Sequence, residues 1–310
     1  MSKTNVLILG ASGMLGSMVT DFLSRDKDLS ITVTMRSQQL IKKAQKRIKN
    51  IEWLNFKVKD EAQTIQQLLN LGKPDWIVNA IGVIKPYARD DYPEEVENAS
   101  VGNAMFPYWL ARTFEQSHIL QIATDCVYSG NKGHYVESDK HDSFDVYGKT
   151  KSLGEVLLPN VKHLRCSIIG PEPKSRVSLL EWFLKQTANA KVSGFTNHSW
   201  NGVTTLHFAK ICHGIINNNI SLPHLQHLIP DGDITKHDLL CCFKRLYERS
   251  DIEITAIEAP QKIDRRLGTE DNELNAKLWQ SAGYDDRPPT TKEMVEELAA
   301  FDYRLKELDK

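Results

Sequence analysis

Residues 5–23 restrict the possible folds of this chain more than any other stretch. Residues 5–9 carry a continuous apolar run, as a parallel strand buried on both faces requires. The run enters Gly10-Ala-Ser-Gly-Met-Leu-Gly16 without a spacer, and a helical apolar pattern follows through Leu23. Glycines at 10, 13 and 16 permit a tight turn, a close approach of backbone to a pyrophosphate, and tight helix–strand packing. The N–H groups that open the following helix are suited to hold an anion. A glycine turn alone can be purely structural. In the order strand, turn, helix it reads as a dinucleotide site built from Gly10, Ser12, Gly13, Met14, Leu15 and Gly16.

The same alternation continues through the first half. Residues 31–35 read as a second strand ending at Arg36. A carboxylate at that place suits ribose hydroxyls and a cation suits a 2′-phosphate, so Arg36 favours NADPH, with NADH as the alternative. It also fits an ordinary surface cation among those of residues 36–49. Residues 51–58 form a third strand. Asp60 after it either bonds an adenine amine or caps the helix over 64–71. The fourth strand, 76–82, ends in Ala80, Ile81 and Gly82, which let the chain pass close to a cofactor. A helix over 94–115 should bend or break near Pro107. The fifth strand, 118–123, delivers Thr124. Such alternation implies right-handed crossovers and an α/β fold, a doubly wound parallel (Rossmann) sheet. Gly10, Arg36, Asp60, Gly82 and Thr124 all fall at the strand ends beyond which such sheets bind ligands.

Beyond Thr124 a Gly- and Asp-rich loop leads to a helix carrying Tyr147 and Lys151. Four residues apart, they share a helix face, and the ammonium is expected beside the phenol. A free phenol has a pKa near 10, which a fixed cation should lower. With the Thr124 hydroxyl sharing its proton, such a Tyr can exchange a proton with a carbonyl oxygen. Tyr-x-x-x-Lys also arises by chance on solvated helices; its company here is what makes it informative.

A sixth strand is expected over 162–169. After residue 173 the texture changes: helices are expected over 178–187, 206–216, 236–248, 271–281 and 291–308, with a stretch rich in Gly, Asn, Thr and aromatics at 192–205. Residues 1–170 read as the nucleotide-binding part, with 206–216 returning to it, and 171–310 as mainly a substrate lobe. The 310 residues carry a net charge of −1 and no charged tail, which gives no support to a nucleic-acid or membrane partner. The five cysteines include no C-x-x-C pair, so reduced thiols in a cytoplasm are expected. No metal site is expected: His224, His227 and His237 read as a solvent-facing cluster.

These residues carry a resemblance. The glycine loop, residues 79–82, Thr124, and Tyr147 with Lys151 resemble the extended short-chain dehydrogenase/reductases. ATDCVYSG (123–130), YGKTKSLGE (147–155) and the strand from Arg165 are similar to the dTDP-4-dehydrorhamnose reductase branch, over about the first 170 residues. The resemblance implies reduction of a nucleoside-diphosphate 4-keto-6-deoxy sugar by NAD(P)H. Thr124 would polarise the carbonyl, Tyr147 donate the proton, and Lys151 lower the Tyr pKa and hold the nicotinamide ribose. Tyr147 and Lys151 thus serve cofactor and chemistry alike. Lys85, Asp125, Cys126, Trp200, Asn201 and Arg265 are the expected substrate contacts. Lys174, Arg176 and Arg266 are further cations for phosphates, and Phe195 or Trp182 further platforms for a base. Each has a bland alternative, Trp182 and Phe183 on a helix core face and the Arg residues on a solvated surface.

Cys126 stands where similar dehydratases carry a carboxylate, which argues against dehydration. A low-pKa thiol there could move a proton alpha to the ketone, so an epimerase/reductase stays open. So does a cofactor-binding regulatory subunit without chemistry. A homodimer is compatible with all three readings.

Overall fold

The computed structural model describes residues 3–309. Its strands are β1 (Thr4–Leu9), β2 (Leu29–Met35), β3 (Glu52–Asn55), β4 (Trp76–Asn79), β5 (His118–Thr124), β6 (Val161–Cys166), β7 (Ile168–Ile169), β8 (Lys191–Phe195), β9 (Ser199–Trp200), β10 (Val203–Thr204), β11 (Leu225–His227), β12 (Ile234–Thr235) and β13 (Glu253–Ile257). Its α-helices are α1 (Met14–Leu23), α2 (Gln38–Arg47), α3 (Glu61–Leu69), α4 (Pro93–Ala99), α5 (Phe106–Thr113), α6 (Val146–Leu153), α7 (Leu179–Leu184), α8 (Thr205–Asn218), α9 (Lys236–Leu246), α10 (Asn272–Ser281) and α11 (Thr291–Ala300).

The last four residues of β1 are buried, and alternate ones feed opposite cores. Val6 and Ile8 join Met18, Ile211 and Ile215 on one face. Leu7 and Leu9 join Phe106, Trp109 and Leu110 on the other. This period of two on a strand covered by helices on both sides is why the run is unbrokenly apolar. The sheet has seven strands in the order β11-β6-β5-β4-β1-β2-β3, every pairing parallel. The chain winds outward from β1 to β3, then returns to β4 on the other side of β1. That reversal opens a crevice at the strand C-terminal ends. The expected doubly wound parallel sheet is the observed one.

Several boundaries differ from expectation. The sixth strand stops at Cys166, and Ile168–Ile169 turns away to pair with β10. The helix over 94–115 does not break at Pro107. It stays helical but widens into a π turn over Ser100–Met105, with Pro107 just beyond, so the missing N–H falls beside an already irregular ladder. The strand β11 and the parallel pair β8–β13 were not expected. His227 lies on β11, fully buried, its Nδ1 paired with the Gly268 carbonyl at 2.8 Å; it is a core residue and not part of a solvent-facing cluster. Among the described residues no group of three His, Cys, Asp or Glu could hold a metal ion, and no helix is long and apolar enough to cross a membrane.

Candidate active site

The glycine loop lies at the C-terminal end of β1. Gly10 adopts a φ of +89°, a conformation that favours glycine, and the Gly13 N–H donates to its carbonyl at 3.0 Å. A Cβ on Gly16 would fall inside the van der Waals radius of the same carbonyl oxygen, so α1 approaches β1 only with glycine there. Gly13 is exposed and caps α1 without a side-chain hydrogen bond, leaving the first turn's N–H groups open. Ser12 and Leu15 are buried beneath the loop, and Met14 is partly exposed. Arg36 is exposed after β2, and its charge helps to lower the pKa of half-buried Lys174, second to burial. Asp60 caps α3, accepting from the Gln63 N–H at 2.9 Å through Oδ1, as one of its two readings expected.

At the end of β4, buried Asn79 donates to Gln121 at 2.6 Å and accepts from the Ile81 N–H at 3.1 Å. This shapes the turn through Ala80, Ile81 and Gly82. The Asn103 amide, in the π turn, grips both the N–H and carbonyl of Val83 at 2.7 and 3.0 Å and donates to Thr150 of α6 at 3.2 Å. Asn103 thus ties the post-β4 loop to the helix of Tyr147. Sequence reasoning missed it, because an Asn inside a helical pattern carries no local signal.

Thr124 ends β5. Its hydroxyl donates to Asp125 Oδ1 at 3.3 Å, accepts from the Cys126 N–H at 3.2 Å, and lies near enough to the Tyr147 phenol to pull its pKa down. Asp145 caps α6 by accepting from the Gly148 N–H at 2.7 Å and pairs with Lys85 Nζ at 2.6 Å. Lys85 therefore holds the start of the Tyr147 helix. Lys151 is buried, and its Nζ donates to the Ile122 carbonyl on β5 at 3.0 Å.

The electrostatics reverse one expectation. Burial, and then Cys126, pushes the Tyr147 phenol up, while the Thr124 hydroxyl pulls it down; the net shift is upward. Lys151 is itself lowered to about 8 by burial, with Glu155 raising it and Arg165 opposing. The ammonium is turned toward the β5 carbonyl, and desolvation outweighs any attraction it exerts on the phenol. Burial, and then Asp125, pushes the Cys126 thiol up to about 12, the opposite of the low-pKa thiol that proton transfer at carbon requires. Arg165, fully buried, donates to Tyr128 at 2.7 Å, to His227 at 3.0 Å, to His141 at 2.9 Å and to Glu155.

The remaining expected contacts divide. Arg265 donates through Nε to the Tyr128 carbonyl at 2.8 Å and lowers both Asp125 and Cys126, so it faces the site. Arg266 is committed to Asp264 and Asp233, and Arg176 pairs with Glu307 at 3.4 Å. The Asn201 amide clamps the backbone of Leu267, at 2.7 and 3.0 Å; it splices two segments together rather than presenting polar groups to a base. Trp200 is buried with its N–H on Ser167 at 2.8 Å, so its ring is not an open platform. Trp182 is 38% exposed, off the helix core face, whereas Phe183 is core. Phe195 packs on His198 at 4.9 Å. Lys236, unnoticed in the sequence as a site residue, also acts on Asp125 and Cys126, and Arg265 acts on it.

Comparison with known proteins now decides the family. The RmlD substrate binding domain family matches residues 4–299. The chain belongs to this family. That bears out the resemblance to the dTDP-4-dehydrorhamnose reductase branch of the extended short-chain dehydrogenase/reductases. No curated protein sequence matches the chain. Solved structures share the RmlD-family fold at low identity. A dTDP-4-dehydrorhamnose reductase from Clostridium acetobutylicum is 20% identical with a TM-score of 0.70, over 96% of this chain and 99% of that one. The Bacillus anthracis enzyme, solved with NADP, is 17% identical with a TM-score of 0.69, over 96% and 98%. A UDP-glucuronic acid 4-epimerase from Bacillus cereus, solved with UDP-glucuronic acid and NAD, is 13% identical with a TM-score of 0.68, over 97% and 99%.

Proposed function

We propose that this chain reduces the 4-keto group of a nucleoside-diphosphate 4-keto-6-deoxy sugar, using NADPH in preference to NADH. The observation that carries the reading is the placement of Tyr147 by Thr124 at the end of β5, on the same sheet edge as the open N-terminus of α1. A phenol with a raised pKa keeps its proton at neutral pH, which suits a donor to a carbonyl oxygen being reduced. Thr124 orients that proton, and Lys151 holds the helix face to β5 and is charged below about pH 8. The glycine loop suits a pyrophosphate, and Arg36 with Lys174 suits a 2′-phosphate. A bound NADPH would supply the hydride. Residues 1–170 with α8 serve the nucleotide, and most of 171–310 serves the sugar; Arg265 is the cation placed to meet the substrate's phosphates. The thiol of Cys126, pushed up to about 12, disfavours the epimerase alternative.

The test is NADPH oxidation, with NADH in parallel, on UDP- and dTDP-4-keto-6-deoxy sugars, with the product identified by NMR. Turnover with one new carbinol centre is expected. Tyr147→Phe should lower kcat by about 10²–10⁴-fold while leaving NADPH binding intact. Solvent deuterium at a carbon flanking the ketone would restore the epimerase reading. Tight NADPH binding without turnover of any sugar would favour the regulatory-subunit reading.

A further inference from the structure

We infer that Lys236 and Asp125 form a subsite for a hydroxyl group on the sugar carbon next to the carbonyl that is reduced, an inference that rests on the reductase reading above. Lys236 is the first residue of α9, and its position is fixed twice. Its backbone N–H donates to the His198 carbonyl at 2.9 Å, and the preceding strand β12 pairs with β9 through Ile234–Trp200 and Thr235–Ser199. Its ammonium lies 5.4 Å from the centroid of the Trp200 ring, itself held by Ser167. The residue is half-buried, and burial lowers its pKa. Among the described residues its ammonium makes no hydrogen bond or ion pair, although three donors need acceptors. It feels the Asp125 carboxylate, yet no ion pair closes between them.

A half-buried ammonium and a buried carboxylate that attract without an ion pair leave room for a group that answers both. A carboxylate on the sugar would be repelled by Asp125. An acyl oxygen would accept from Lys236 and leave Asp125 unanswered. A hydroxyl accepts from Lys236 and donates to Asp125. Its position follows from the chain: Asp125 is the residue after Thr124, whose hydroxyl donates to Asp125 and acts on the Tyr147 phenol. With the ketone on Thr124 and Tyr147, a substituent reaching Asp125 sits on the adjacent carbon. In a 4-keto-6-deoxy sugar that is the C3 hydroxyl, since C5 carries the methyl group.

The experiment compares a 4-keto-6-deoxy sugar nucleotide with its 3-deoxy analogue, on wild type and Lys236→Met. It reads kcat/KM, and also Kd by calorimetry in the presence of NADP⁺. Wild type should prefer the hydroxyl-bearing sugar by about a hundredfold or more. Lys236→Met should lose most of that preference by weakening on the hydroxyl-bearing sugar alone. Equal affinity of wild type for both sugars overturns the subsite, whether or not the variant folds. An equal loss on both sugars in Lys236→Met also overturns it, marking Lys236 as structural. If wild type reduces neither sugar but still binds the hydroxyl-bearing one about a hundredfold more tightly, the reductase reading fails and the subsite stands.

Discussion

At Lys151, stability and the proposed chemistry oppose each other. Burial lowers its pKa from 10.5 to about 8. A Lys with a lowered folded-state pKa destabilises the fold wherever both states are charged, below about pH 8, here by roughly 3 kcal/mol. That penalty fades as pH rises from about 8 toward 10.5, where the unfolded amine also loses its proton. Lys151→Met should therefore raise stability at neutral pH, by an amount that shrinks above about pH 8, while abolishing most turnover. Urea unfolding at several pH values checks this; a variant less stable than wild type at neutral pH refutes it. The positions of Thr124, Tyr147 and Lys151 were legible because helical spacing and the end of a strand are local facts. The direction of the Tyr147 shift was not, since it depends on how much water the folded site excludes. Lys236 was illegible for the same reason: in sequence it is one cation beside a His and an Asp.

Between β1 and α1, two glycines divide structure from binding. A Cβ at Gly13 would meet only the Gly10 oxygen, at 3.4 Å, whereas one at Gly16 would overlap it. Gly13→Ala should keep stability within about 0.5 kcal/mol yet weaken NADPH binding about tenfold or more, because its methyl intrudes where a pyrophosphate approaches the backbone. Gly16→Ala should cost about 1–3 kcal/mol even without cofactor. Thermal melts with and without NADPH separate the two, and equal destabilisation by both substitutions would defeat the argument. The glycine spacing exposed this element fully. The π turn and the strands β11 and β13 escaped notice because they are short or irregular and depend on distant partners. Leu225–His227 is a strand only because β6 lies beside it.

Across the whole molecule, the end of the chain fastens the first helix. Tyr303 donates to Ser17 at 2.6 Å, and buried Asp21 accepts from Arg304 Nε at 2.8 Å and from Arg25 at 2.9 Å. Helix α8 lies alongside α1 as well, so the glycine loop is braced by segments far away in sequence. Asp21→Ala leaves the Arg304 side chain without its carboxylate partner and should cost about 3 kcal/mol, with loss of NADPH affinity as α1 loosens. Calorimetry and a fluorescence titration check it; an unchanged melt would show the clasp to be dispensable. By itself the sequence determined the doubly wound sheet, the glycine turn and the helix spacing of Tyr147 and Lys151. Each follows from residues a few positions apart, through strand period, helix spacing and the steric freedom of glycine. Only the tertiary structure decided that Asp60 caps a helix, that Asn201 clamps a backbone, that Cys126 stays a thiol, and that Lys236 faces Asp125. Those outcomes depend on burial and on partners brought together from distant parts of the chain, and no local pattern encodes the dielectric in which a side chain ends up.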